Sequence, residues 1–175
     1  EQLAPTARAV VGMSLGGMVS QVLAYTHPHR VMTLTSISSQ PGDPEVGQPT
    51  MEASAVIFEE APVGMSREDY IESSLSWQVW QSKKYRDDNL SRTAAALSYD
   101  RAFYPEGATR QLAAVYGTGR RHDQVATISV PTLVIHGTDD TLITPDGGER
   151  TAELIPNSTL VMVDDMGHDL PQPLW

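Results

Sequence analysis

The stretch Val10-Val11-Gly12-Met13-Ser14-Leu15-Gly16-Gly17-Met18 constrains this chain more than any other. A β-branched run enters a G-x-S-x-G turn, and a helix-permissive stretch from Val19 to Tyr25 leaves it. Strand, sharp turn and helix are the context in which a serine is held up as a nucleophile. Strand and helix backbones crowd together at such a turn, so Gly12 and Gly16 are expected to be there because neither carries bulk. The helix that follows aims its amino end at the site, which favours the negative charge that develops on an attacked carbonyl. The structural alternative is a plain strand-to-helix turn with Ser14 as the N-cap. The partners that the rest of the chain supplies weigh against it.

The surrounding pattern is α/β. Ala7 to Val11 reads as a buried strand, and a helix from about Gly16 runs to Thr26, where His27-Pro28 stops it. Val31 to Ile37 is a second strand with little alternation, as expected where both faces are covered. Strand, helix and strand in so short a span form a βαβ unit, so the two strands should be parallel. From Ser38 the chain turns irregular, with Pro41, Gly42, Pro44, Gly47 and Pro49. Between Thr50 and Gly119 it reads as three to five helices, near Met51–Glu60, Arg67–Lys84, Asp88–Phe103 and Pro105–Tyr116. Ser66 before Glu68 and Asp69 is an N-terminal signature, and Pro105 suits a first helical turn. The block is too long for a crossover helix, so it is expected to be a helical cap inserted between two strands. Its aromatics, Trp77, Trp80, Tyr99, Phe103, Tyr104 and Tyr116, are expected mainly to pack. The βα pattern resumes with a strand over Val130–His136, a loop over Gly137–Pro145, a helix over about Gly148–Leu154 and a strand over Ser158–Val163. The expected architecture is a parallel sheet of about four strands with flanking helices, divided as core (1–40), helical cap (41–125) and core (126–175).

Composition narrows the function. The net charge of −10 argues against nucleic acid and anionic membrane surfaces as partners. No apolar run reaches the roughly eighteen residues needed to span a bilayer. The absence of cysteine excludes disulfides, thiolate metal sites and a cysteine nucleophile. No His, Cys or carboxylate spacing points to a metal, and no glycine-rich phosphate motif points to a nucleotide, so no cofactor is expected. No signal peptide is visible, and a cytoplasmic location is expected. The chain opens at Glu1 without a methionine and enters a strand almost at once, as a segment of a longer polypeptide would.

Three polar loops then fall at the carboxyl ends of three parallel strands, the edge where open α/β sheets place their sites. They carry Ser14, then Asp139 and Asp140, then His168 after Gly167. Ser14 is unreactive at its own pKa and needs a base within reach. His168 can take its proton, and a carboxylate on the far ring nitrogen can fix the tautomer and stabilise the imidazolium. The N–H of Leu15, next after the nucleophile, is the expected oxyanion donor. Either aspartate could instead be a simple turn residue and His168 an ordinary loop histidine. Order and matching strand ends favour the joint reading. Asp43 is the runner-up acid, and Asp165 a third candidate. His27, His29, His122 and His136 are read as structural, with His136 packing beside the acid loop.

With these residues in place, the chain resembles the carboxyl-terminal part of an α/β-hydrolase, and most resembles the branch of aclacinomycin methylesterase-like enzymes. The resemblance rests on Gly12 to Met18, Tyr99 to Pro105, Arg110 to Ala113, Pro131 to Gly137 and Met166 to Pro171. By the family's G-x-x-D pattern, Gly137 points to Asp140 as the acid. The resemblance implies a serine hydrolase that cleaves carboxylic esters through an acyl-enzyme, without a cofactor, and the aromatics of the cap point to a small-molecule ester with a moderately bulky apolar part. It also implies departures. The family places several strands before the nucleophile strand, a second oxyanion N–H in a loop after an early strand, and a closing helix after the histidine. Lacking one oxyanion donor costs about 2.7–4 kcal/mol, or roughly 10²–10³ in rate. Without its inner neighbour the Ser14 strand becomes a sheet edge. Asp165 stands where the family often has glycine, and its charge near His168 is expected to favour the imidazolium. The alternatives are a catalytically silent or partner-dependent segment of such an enzyme, and a perhydrolase or C–C hydrolase with the same triad. An aspartate-nucleophile enzyme is disfavoured by Ser14.

Overall fold

The computed structural model describes residues 8–59 and 61–175. Strand β1 (Arg8–Met13) leads through Ser14 into α1 (Leu15–Thr26), which ends where expected, before His27-Pro28. Strand β2 (Val31–Ile37) follows, and then come α2 (Met51–Ile57), α3 (Arg67–Ser73), α4 (Asp88–Ala102), α5 (Pro105–Thr118) and α6 (His122–Val125). Strand β3 (Thr132–Gly137), α7 (Asp146–Leu154) and β4 (Ser158–Val163) complete the order. Ala7 and Glu60, at the ends of two expected elements, lie outside the described residues.

The strands form a four-stranded sheet in the order β1-β2-β3-β4, and every pairing is parallel. Crossover helices between parallel neighbours put all carboxyl ends on one edge. The register lines up Val10, Leu34, Thr132 and Ser158 across one face, and Gly12, Ser36, Val134 and Leu160 one step further along. That face takes the helices. Leu34 and Val31 are buried against Ala24 of α1, Val125 of α6, and Ile128 and Ile155, with Val10, Leu23 and Tyr25 packed around them. Full burial of a side chain such as Leu34 stabilises by about 1.5–3 kcal/mol. Within this face Gln21 donates from Nε2 to Ser36 Oγ at 3.1 Å, so its amide nitrogen is not buried unpaired.

The opposite face departs from the sequence reading. Val11, Met32, Thr33 and Val161 are exposed, so among the described residues helices cover the sheet on one side only. The unalternating apolar run of β2 does not distinguish a strand with two covered faces from one with a single covered face.

The helical segment between β2 and β3 also differs in one respect. The expected helix over Arg67–Lys84 stops at Ser73 and continues as a 3₁₀ turn over Ser74–Trp80. Ser73, Ser74 and Ser76 each return a hydroxyl to a carbonyl three residues back, at 2.9, 2.7 and 2.7 Å. Serine hydroxyls that bond locally compete with the α-helical ladder, and the tighter turn results. The other starts follow their caps. Thr50, Ser66 and Asp87 accept N–H groups of the first turns of α2, α3 and α4. Among the described residues no helix is long and apolar enough to cross a membrane.

Candidate active site

Ser14 sits at φ 55°, ψ −125°, a conformation that side-chain-bearing residues rarely adopt. Its N–H donates to the Ile37 carbonyl at the end of β2 (2.9 Å), and its carbonyl accepts from Ser39 Oγ (2.9 Å). These two bonds hold the turn from both sides and offset the cost of the conformation. The Ser14 hydroxyl caps nothing in α1. It donates to His168 Nε2 at 2.8 Å, so the plain N-cap reading fails.

Gly12 behaves as expected, because a β-carbon there would lie 2.1 Å from the Gly16 carbonyl oxygen. Gly16 does not. Nothing lies within 4 Å of its would-be β-carbon, whereas at Gly17 one would meet Ser39 Cβ at 2.6 Å. The crowded glycine after the serine is therefore Gly17, which lets α1 approach the start of the Ser38–Gln40 loop.

The other two loops converge on the same edge. Thr138 N–H reaches the Val163 carbonyl and Asp139 N–H the Met166 carbonyl, at 3.0 and 2.9 Å. A β-carbon on Gly137 would stand 2.1 Å from the Met166 carbonyl oxygen, so this glycine lets the loop after β4 cross the end of β3. The crossing brings His168 to Asp140. His168 Nδ1 donates to Asp140 Oδ2 at 2.7 Å, and the two side chains are 8% and 0% exposed. Asp140 Oδ1 accepts the N–H groups of Leu142 and Ile143, both at 3.0 Å. Burial alone would raise the Asp140 carboxyl. The nearby Nε2–H of His136, the hydrogen bond from His168, the charge His168 can carry and the Ile143 N–H outweigh burial and hold it below the ordinary carboxylate range. An ionised Asp140 in turn requires a hydrogen on Nδ1 of His168, which leaves Nε2 bare to accept from Ser14.

The remaining acidic candidates lie elsewhere. The Asp139 carboxylate faces Lys83, 3.7 Å from Nζ. Asp165 pairs with Lys84 at 2.6 Å, so its charge is directed to that ammonium instead of His168. Its backbone has φ 62°, the left-handed region that glycine occupies freely. Asp43 is buried with His122 (Nε2 to Oδ2, 2.9 Å) and Arg150 (3.2 Å), a separate cluster that ties the loop after β2 to α6 and α7. His27 and His29 are exposed beside each other.

Two contributors carry little sequence signal. His136 is fully buried behind Asp140. Its only hint is its place immediately before Gly137. The second is the segment Val79–Lys84, whose backbone straps both loops. The Val79 carbonyl accepts from Thr141 Oγ1 (2.8 Å), the Trp80 carbonyl from His168 N–H (2.6 Å), and Ser82 N–H donates to Asp169 (3.0 Å). Gly167 is needed there, since a β-carbon would lie 2.4 Å from Gln81.

Leu15 is the first residue of α1, so its N–H belongs to the turn that has no intrahelical acceptor. Beside it opens a cavity of about 220 Å³. Its floor is Ser14, Leu15 and Met18, and its far wall is the stripe Ala108, Leu112 and Val115 of α5. Among the described residues no group of three or more His, Cys, Asp or Glu side chains converges as a metal site.

Comparison with known proteins decides the family. A family model described as the alpha/beta hydrolase fold matches residues 1–171. The chain belongs to the α/β-hydrolase fold family. Among curated relatives, it is 25% identical to rhodomycin D methylesterase DauP of Streptomyces sp. (strain C5), over 93% of this chain and 61% of that protein. It is 22% identical to Lipase 3 of Moraxella sp. (strain TA144), over 91% of this chain and 49% of that protein. The chain thus spans about half to three-fifths of the length of the curated relatives it matches. Among solved structures it is similar to Est816, described as an N-acyl homoserine lactone degrading enzyme, with a TM-score of 0.69, 26% identity, and coverage of 97% of this chain and 64% of that one.

Proposed function

We propose that this chain carries the catalytic residues of a serine hydrolase that cleaves carboxylic esters. The observation that carries the reading is the continuous line from Asp140 through His168 to Ser14, with bonds of 2.7 and 2.8 Å. The serine at its end is held in a strained turn and caps nothing. In this reading the segment between β2 and β3 is a cap over the site.

Ser14 Oγ attacks the ester carbonyl carbon while its proton passes to His168 Nε2. The carbonyl oxygen gains the negative charge and lies at the amino end of α1, where the Leu15 N–H stabilises it. The C–O bond to the alcohol breaks as His168 returns the proton to the leaving oxygen, and the acyl group stays on Ser14. Water then attacks the acyl-enzyme, giving one proton to His168, and the bond from the acyl carbon to Ser14 Oγ breaks as His168 returns that proton to Oγ, releasing the carboxylic acid and restoring Ser14. Asp140 orients the ring throughout and stabilises it when charged. The apolar cavity under α5 suits one apolar arm of the ester, acyl or alcohol, and the names of the methylesterase and lipase relatives support ester cleavage.

Hydrolysis of p-nitrophenyl esters of graded acyl length tests the reading. Turnover that disappears in both Ser14→Ala and His168→Ala supports it. Turnover that survives in Ser14→Ala contradicts it.

A further inference from the structure

Asp140 Oδ2, the oxygen that meets His168, has a second neighbour. His136 Nε2 lies 3.4 Å from it and 2.8 Å from the Ile143 carbonyl oxygen. A carbonyl only accepts, so Nε2 carries the ring hydrogen. The other nitrogen, Nδ1, is buried without a hydrogen-bond partner. It packs on Gly148, where a β-carbon would stand 2.4 Å away. A second proton on Nδ1 would be buried without an acceptor, which costs more than the bare lone pair. The geometry therefore places a hydrogen on Nε2, donated to the Ile143 carbonyl, with the carboxylate 3.4 Å away.

The same ring thus touches both ends of the acid loop. Ile143 N–H holds Asp140 Oδ1 at 3.0 Å, while the Ile143 carbonyl is held by His136. Rotation of the carboxylate or outward drift of residues 140–143 would break contacts to this one side chain. Packing needs alone would not call for an imidazole here. An aliphatic residue would fill the space on Gly148 without leaving a nitrogen unpartnered.

We infer that His136 is a positioning residue for the proposed triad: its Nε2–H holds the Ile143 carbonyl, and Ile143 N–H in turn holds the Asp140 carboxylate in the orientation that receives His168. It acts through Ile143 and Asp140, and does not itself line the cavity. This inference rests on the hydrolase reading for its purpose, but its geometry can be tested separately.

Three substitutions separate positioning from packing. His136→Gln can present an amide N–H near the Nε2 position. His136→Asn has a similar amide that is too short to reach it, and His136→Leu retains apolar bulk without a donor. Two readouts are used on the purified chain. One is the far-downfield proton resonance of the His168 Nδ1–H···Asp140 bond, and the other is the rate of fluorophosphonate labelling. The resonance should persist in His136→Gln and be lost in His136→Asn and His136→Leu. Labelling of Gln should stay within about threefold of the parent, whereas Asn and Leu should slow by about tenfold or more, the cost of leaving the buried Ile143 carbonyl unpaired. Equal behaviour of the three variants, or failure of all three to fold by circular dichroism, would overturn the inference. If Leu alone fails to fold, the Gln–Asn comparison decides. If the parent carries the resonance but does not label, the hydrolase reading fails while the resonance still judges His136.

Discussion

His168 donates from Nδ1 to the buried carboxylate of Asp140, while its Nε2 accepts the hydroxyl of Ser14, a residue 154 positions away in the chain. One ring therefore joins the ends of three strands. Its tautomer is set from the acidic side, which leaves the opposite nitrogen free to take a proton.

Replacing Asp140 by Asn should spare the fold and remove most of the activity. The amide presents an N–H as readily as a carbonyl and permits the wrong tautomer of His168. If the proposed triad operates, a kcat loss of roughly 10³–10⁴ is expected, with KM changed little. Steady-state kinetics with an activated ester checks it, and a loss below tenfold would count against Asp140 as the orienting acid.

The glycines at the turn make a second, purely structural prediction. Gly12→Ala and Gly17→Ala place methyl groups where backbone and Ser39 already stand, so each should destabilise by about 1–3 kcal/mol. Gly16→Ala enters open space on a helix and should be neutral or stabilising by up to about 1 kcal/mol. Urea unfolding of the three variants gives the order directly.

Asp43 is held below the ordinary carboxylate range by the Glu45 N–H, against burial, with help from His122, Arg150 and Arg120. Such a carboxyl binds fewer protons folded than unfolded just below the ordinary aspartate value of about 3.9. Stability should therefore be complete above that value and decline as pH falls through the lower folded-state pKa. Thermal melts from pH 6 down to pH 2 (roughly the span of acid titration) should show this fall, and Asp43→Asn should make it shallower. Asp140 adds a decline of the same sign.

The cavity predicts selectivity. Leu112→Trp fills the space beneath α5 and should turn preference toward shorter esters, by about tenfold in kcat/KM for every two methylene groups excluded. Activity on a series of p-nitrophenyl esters reads this out, and an unchanged chain-length profile would mean the cavity is not where the apolar arm binds.

The sheet and the three loops were legible in the sequence because their signals are local. A β-branched run, a glycine turn and a proline stop each act within a few residues. The choice between Asp139 and Asp140 was not local. It depends on Lys83 drawing one carboxylate outward and on residues 142 and 143 turning N–H groups toward the other. Asp43 read as a possible acid because only the fold shows Arg150, 107 positions later, beside it. The strap over Val79–Lys84 works through backbone carbonyls, which no side-chain pattern announces. The broken helix at Ser73 had a signal in its serines, but the apolar and aromatic spacing around them obscured it.

The most direct test of the account is labelling of this chain with a fluorophosphonate, followed by mass spectrometry of the modified peptide. One adduct is expected, on Ser14, abolished in Ser14→Ala and His168→Ala and strongly slowed in Asp140→Asn. A folded chain that takes up no label, or takes it on another residue, would contradict the claim that Ser14, His168 and Asp140 act as a nucleophile, base and acid set.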